Sequence, residues 1–329
     1  MTAVRLQSQG RGVPTIGIDI GGTSVRASVV SPDSAVLGSV RAPTPTSVPR
    51  TEAVITELVA DLRTAHEVTA VGLAVAGFVS TDRQRVMFAP HLAWRGDPVP
   101  ERLSERIGLP VVMDHDVNAA AWAEYRRGAA AGAGVALLVA VGTGIGAGLV
   151  VGGQLYRGAF GVAPELGHIV VVPDGRSCPC GKRGCWERYC SGTALAQTAR
   201  ELWEAGGPAT TLAELAGGDP RAVTGTMVAH AARQDDPVAV EAILDLGRWL
   251  GEGLAIAADV LDPAVIIVGG GVSGAAELFL PTTRRVLASL ITGTDHRPQP
   301  QLSLARFGST ASVVGAALLA AESIAIATA

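Results

Sequence analysis

Ile18-Asp19-Ile20-Gly21-Gly22-Thr23-Ser24-Val25 and Val139-Ala140-Val141-Gly142-Thr143-Gly144-Ile145-Gly146 follow one design. Each is a short apolar run, a turn of small residues with a threonine, and a second apolar run. Such runs, when glycine punctuates them, read as buried strands joined by a tight turn. A duplicated α/β unit facing a central cleft would place the same motif once in each half of the chain. Two unrelated glycine hairpins would leave the same trace.

Outward from the first motif, Thr15–Ile20, Val25–Val30 and Ala35–Val40 read as strands, with a turn at Pro32-Asp33. Thr51–His66 carries Val54, Leu58 and Leu62 at helical spacing. Ala70–Val75 and Val111–Met113 read as buried strands. Val117–Gly128 reads as an alanine-rich helix with Asp116 near its N-terminus. Around the second motif, strands Val135–Val141 and Ile145–Val151 are followed by helices near Thr193–Ala205, Thr211–Leu215, Ala222–Ala232 and Pro237–Val260. Strand Ala264–Val268 runs into Gly269-Gly270-Gly271. Helix Ala275–Leu290, strand Gln301–Ala305 and helix Ser312–Ala325 complete the chain. The order is mixed α/β with parallel crossovers.

Composition narrows the chemistry. Apolar residues make up 48% of the 329 and charged residues 17%, the reverse of what disorder requires. The balance of 26 basic and 30 acidic residues gives −4 with no charged tail, so no general nucleic-acid or membrane-surface binding is expected. The sequence holds a single lysine, Lys182. It lies in Cys180-Gly181-Lys182-Arg183, so a phosphate-binding loop built on Gly-Lys-Ser/Thr, protein-kinase architecture and a pyridoxal Schiff base are all excluded. Between Arg127 and Arg157 the chain has no charge, but glycines from Gly132 to Gly153 break it into short runs, which suits strands better than a membrane helix. Met1–Gly12 is polar and shows no secretory core, so a cytoplasmic protein is expected.

Three clusters can carry chemistry. The glycine turns Gly21-Gly22-Thr23, Gly142-Thr143-Gly144 and Gly269-Gly270-Gly271 each follow a strand and offer N–H groups to an anion. Asp19 precedes the first turn, where it could orient Mg²⁺ or a water, or simply lie exposed at a strand end. In Asp114-His115-Asp116-Val117-Asn118, a carboxylate at the mouth of a strand can take a hydroxyl proton. Spacing alone equally allows Asp116 to be only a helix cap. His168 with Cys178, Cys180 and Cys185 makes a closed Cys₃His set suited to structural zinc, while Cys190 lies outside the pattern.

Together these segments resemble the ROK family of sugar kinases and sugar-responsive repressors, within the actin/hexokinase-like (ribonuclease H-like) superfamily. The likeness runs from about Ile16 to Leu319. It is carried by Asp19–Thr23, Ala89-Pro90-His91-Leu92-Ala93-Trp94, Asp114–Asn118, Gly142–Gly144, the Glu165–Glu187 block and Val268–Gly271. Phe160-Gly161-Val162-Ala163 and Tyr189-Cys190-Ser191-Gly192 resemble the bacterial ATP-dependent glucokinases of that family. The resemblance implies two lobes around a cleft, residues 13–116 with 311–329 and residues 117–310, the second holding the zinc. It implies that Asp116 is the catalytic base. Sugar would be bound by Gly77, His91, His115, Asp116, Glu165, His168 and Glu187. Nucleotide would be bound by Asp19, Gly21, Gly22, Thr23, Gly142, Thr143, Gly144, Gly269 and Gly270. ATP and catalytic Mg²⁺ are the implied cofactors, and a homodimer or homotetramer the implied assembly.

Two positions depart from the family pattern, which has asparagine at His91 and at His115. An amide and an imidazole present donors and acceptors differently, so the acceptor could be N-acetylmannosamine, mannose, fructose or allose in place of glucose. Polyphosphate as donor would call for a long basic groove, which a net −4 does not favour. The family's repressors carry a winged helix-turn-helix ahead of the kinase-like body. Here about fourteen residues with two arginines precede the first strand, so a sugar-responsive regulator would have to lack a DNA-binding domain.

Overall fold

The computed structural model describes residues 12–327; Met1–Arg11, most of the stretch read above for a secretory signal, lies outside them. The chain forms two compact units. The first runs to Ala123 and resumes at Ser312, and the second is Glu124–Ala311.

In the first unit, β1 (Thr15–Ile20), β2 (Ser24–Val30) and β3 (Val36–Pro43) lead to α1 (Val48–Arg63) and β4 (Val71–Val75). A small hairpin of β5 (Phe78–Val79) and β6 (Val86–Phe88) precedes α2 (Val99–Ile107), β7 (Val111–His115) and α3 (Asp116–Arg127). The sheet order is β3-β2-β1-β4-β7, with β4 parallel to β1 and β7 parallel to β4. The second unit contains β8 (Val135–Val141), β9 (Ile145–Val151), β10 (Gln154–Tyr156), α4 (Gly192–Glu204), α5 (Thr211–Leu215), α6 (Gly225–Ala232) and α7 (Pro237–Leu261). β11 (Val265–Gly269), α8 (Ala276–Leu290) and β12 (Gln301–Leu304) follow, and α9 (Ala311–Ala327) ends the chain. Its sheet order, β10-β9-β8-β11-β12, repeats the first strand for strand, with the same parallel and antiparallel pairings. Duplication is therefore the right account of the two motifs, and unrelated hairpins are not. The charge-free stretch forms β8 and β9, as expected.

Four elements went unread in the sequence. In α2, the buried Val99, Leu103 and Ile107 recur every four residues, but Pro98 and Pro100 look like a break. Proline in a first turn costs a helix nothing, because that N–H has no intrahelical partner. The hairpin β5/β6 and strand β10 are two or three residues long, too short to show a period.

The division falls inside α3, and the second unit opens on a buried carboxylate. Glu124 accepts the Phe307 N–H at 2.8 Å and the Ala129 N–H at 2.8 Å, while Arg306 donates to the Arg127 carbonyl. These bonds tie the end of α3 to the segment ahead of α9.

Among the described residues α9 is the one helix long and apolar enough to cross a membrane. Its packing in the first unit accounts for that composition: Val313, Val314, Ala316 and Ala317 are buried, and the Thr15 hydroxyl donates to the Ala317 carbonyl. The helix backbone lies directly on two strand glycines. A Cβ at Gly17 would stand 1.9 Å from the Val313 carbonyl oxygen, and one at Gly72 would stand 1.9 Å from that of Ala316. Gly72→Ala must push α9 off the sheet, and is expected to lower unfolding free energy by about 1–3 kcal/mol or more. Gly134→Ala, where nothing lies within 4 Å of the added carbon, is the control expected to stay within about 0.5 kcal/mol of the parent in denaturant titration.

Candidate active site and metal cluster

In the first unit, β1, β4 and β7 end in register, with Ile20 beside Val75 and Val75 beside His115. The Gly21 turn, Gly77 and Asp116 therefore leave the carboxyl ends of neighbouring strands, where open α/β sheets place their ligands. His91 joins them: its Cβ packs over Gly22, and Ala89 packs on Gly77. Arg95, which no sequence signal singled out, holds this segment in place. One of its nitrogens reaches the carbonyls of Ala89, Leu92 and Trp94, and its guanidinium lies 4.8 Å from the Phe88 ring centroid.

Asp116 is the first residue of α3 and keeps 30% of its side chain exposed. Its Oδ1 accepts the Val117 N–H at 2.8 Å, and His115 Nε2 stands 3.2 Å from the same oxygen. Both contacts fall on Oδ1, and among the described residues Oδ2 meets no hydrogen-bond donor. The neighbouring Asp114 points into the core, where it accepts the His115 N–H and the Asn118 amide and so sets the strand-to-helix junction. Burial, and next the charge of Asp116, push the Asp19 carboxyl up to about 6, against the opposing pull of Arg26 and the Ser312 hydroxyl.

In the second unit, two glycine turns meet. Gly270 has φ +82°, and a Cβ there would lie 2.4 Å from the Val141 carbonyl oxygen, so the turn after β11 packs against the start of the β8–β9 turn. The N-terminus of α4 closes on the same turn. Gly192 N–H donates to the Gly142 carbonyl at 2.8 Å, and the Thr193 hydroxyl donates to that of Thr143. Ser191 caps α4, and Gly225 at the start of α6 packs on Gly192. Converging helix starts and glycine turns gather N–H groups that favour a polyanion. The contribution of α4 was missed, although Ser191 directly before a helical run is a readable cap signal.

The Cys₃His set comes together. One donor atom each from His168, Cys178, Cys180 and Cys185 lie within 4.8 Å of one another. Cys180 and Cys185 sulfurs are 3.6 Å apart, and Cys178 Sγ is 3.7 Å from His168 Nδ1. A tetrahedral Zn–S length of about 2.3 Å gives edges of about 3.8 Å, so the set fits zinc. The loop has little regular structure beyond 3-10 turns at Leu166–His168 and Trp186–Arg188 and isolated bridges Val170–Cys185 and Ser177–Arg183. Buried Trp186 anchors it through a bond to the Trp249 carbonyl, and Arg176 N–H donates to the Tyr189 hydroxyl. The lone lysine has a local task, donating to the His168 carbonyl at 2.6 Å. With Nδ1 facing the sulfurs, His168 Nε2 is turned toward Glu165, 3.8 Å away. Glu187 Oε1 lies 3.2 Å from Cys178 Sγ, and its other oxygen lies against Gly144. Cys190 is buried in the hydrophobic core, apart from the cluster.

Two α/β units of one strand order, with glycine turns at strand ends and a carboxylate opening a helix, define the actin/hexokinase-like fold. Residues 15–323 match the ROK family, and the chain belongs to it. It is 43% identical over 309 residues to a glucokinase of Streptomyces coelicolor, covering 94% of this chain and 98% of that protein. The crystal structure of a ROK family glucokinase from Streptomyces griseus in complex with glucose and AMPPNP superposes with a TM-score of 0.85 at 43% identity, covering 94% of this chain and 99% of that one. A ROK hexokinase from Thermus thermophilus superposes at 0.77 and 31% identity, covering 95% and 99%.

Proposed function

We propose that this protein is an ATP-dependent glucokinase. The γ-phosphoryl group of ATP passes to the 6-hydroxyl of glucose: the new bond joins that oxygen to phosphorus, the bond from phosphorus to the ADP oxygen breaks, and Asp116 takes the hydroxyl proton. The observation that carries this reading is Asp116 at the opening of α3, with Oδ2 available, in a chain 43% identical over nearly its whole length to a glucokinase. Glu165, His168 and Glu187, with Gly77, His91 and His115, are proposed to bind the sugar. The turns at Gly21–Thr23, Gly142–Gly144 and Gly269–Gly270 are proposed to bind the nucleotide, with Mg²⁺ neutralising its phosphates. Structural zinc would hold the Cys₃His loop, fixing the His168 tautomer through Nδ1 and leaving Nε2 for a hydroxyl. A reduced cytoplasm suits both the free thiols of this cluster and an ATP-consuming enzyme.

The imidazoles of His91 and His115 favour a second reading, in which another hexose is the better acceptor. A coupled ADP-release assay over glucose, mannose, fructose, allose and N-acetylmannosamine, repeated with polyphosphate as donor, separates the two. Glucose with ATP is expected to give the highest kcat/KM; a different winning hexose selects the second reading, and no turnover with any pair removes both.

A further inference from the structure

His115 and Asp116 are consecutive residues whose side chains meet, with His115 Nε2 3.2 Å from Asp116 Oδ1. Consecutive side chains in a strand point to opposite faces. Here the chain passes from β7 into α3 between these two residues, and the turn brings the imidazole back onto the carboxylate. The junction itself is held from below. Buried Asp114 accepts the His115 N–H at 2.9 Å and the Asn118 amide at 3.0 Å, and the Val117 N–H takes the other approach to Asp116 Oδ1.

We propose that His115 is a positioning residue for proton transfer: its imidazole engages Oδ1 of Asp116, so that Oδ2 is the oxygen presented to the sugar hydroxyl. This rests on the kinase reading above and deepens it. An imidazole that turns Nε2–H toward Oδ1 is left, when neutral, with Nδ1 as an acceptor. A sugar hydroxyl that reaches this ring must therefore donate, whereas an amide could be met from either side. The charged and titratable groups that bear on the pair include Asp19 from β1, whose carboxyl feels the charge of Asp116, Arg26 from β2, which opposes that effect, and buried Asp114 from β7, which accepts the His115 N–H.

Two variants and one NMR comparison test this. His115→Ala removes the contact, while His115→Gln returns an amide N–H at about the reach of Nε2 with no charge to gain. His115→Ala is expected to lose about 10- to 100-fold in kcat with an unchanged KM for ATP, and His115→Gln to recover most of it. Independently of turnover, the ring nitrogen NMR shifts of His115 are expected to change in Asp116→Ala, which removes the oxygen that faces Nε2. Wild-type kcat in His115→Ala, equal kcat in the Gln and Ala variants, or unmoved ring nitrogen shifts overturn the proposal. If the parent phosphorylates no sugar at all, the kinase reading fails, and the ring nitrogen shifts still decide whether the imidazole engages the carboxylate.

Discussion

Asp116→Asn is expected to fold, to keep its affinity for nucleotide, and to lose about 10²- to 10⁴-fold in kcat. Folding survives because the carboxamide oxygen can still accept the Val117 N–H that opens α3. What disappears is an oxygen able to take a proton. A second effect separates loss of the base from general damage. Asp19 titrates near 6, above the ordinary 3.8, through burial first and the Asp116 charge second. An acid raised in the folded state adds stability only at low pH, and that contribution is lost as pH rises through about 4 to 6. Neutralising Asp116 removes one reason for the elevation, so Asp19 titrates lower and the variant loses less stability over that interval than the parent does. Urea midpoints at pH 4 and pH 7 give the comparison, and steady-state kinetics give kcat. Turnover equal to the parent would end the assignment of Asp116 as base, and an unchanged stability slope would end the coupling to Asp19.

Most of the architecture was legible because buried strands in this chain are short apolar runs cut off by glycine, and its helices are long enough to show their period. Helix α7 was expected over Pro237–Val260 and spans Pro237–Leu261. Both glycine hairpins appear where the repeat placed them. The metal cluster was legible for a different reason: Cys178, Cys180 and Cys185 lie so near in sequence that a single loop must bring them together. What escaped was contact between distant segments. Nothing in β4 says that Gly72 must admit the backbone of a helix that comes more than 200 residues later. Nothing around Arg95 says that one guanidinium will gather three carbonyls and hold His91 over Gly22. The same holds inside the cluster, where the candidate ligands could be read from spacing but the division of His168, Nδ1 toward sulfur and Nε2 toward Glu165, needed the fold.

That division predicts how loss of the metal should appear. Cys185 is fully buried, and its sulfur pairs at 3.6 Å with that of Cys180, so Cys185→Ala removes one corner of the tetrahedron and leaves three donors. Burial pushes the Cys178 and Cys185 thiols up, so without an ion they stay protonated and neutral, and only weak thiol contacts, such as that of Cys178 with His168 Nδ1, stand in for the metal bonds. The loop cannot fall back on secondary structure, having only isolated bridges and 3-10 turns. Its freed side chains would be those proposed for sugar: His168 through Nδ1, and Glu187, which lies 3.2 Å from Cys178 Sγ. The glycine turns of the second unit are held by their own contacts, Gly270 on Val141 and Gly192 on Gly142, and should be spared. Cys185→Ala is therefore expected to purify without zinc, to melt lower, and to raise KM for the sugar by about 10- to 100-fold while KM for ATP stays near that of the parent. Zinc analysis, thermal melts and the two KM values give the readings. A variant that keeps one zinc per chain would show that Cys185 is not a ligand, and one that loses the zinc yet keeps its sugar KM would show that the cluster does not hold the sugar-binding side chains in place.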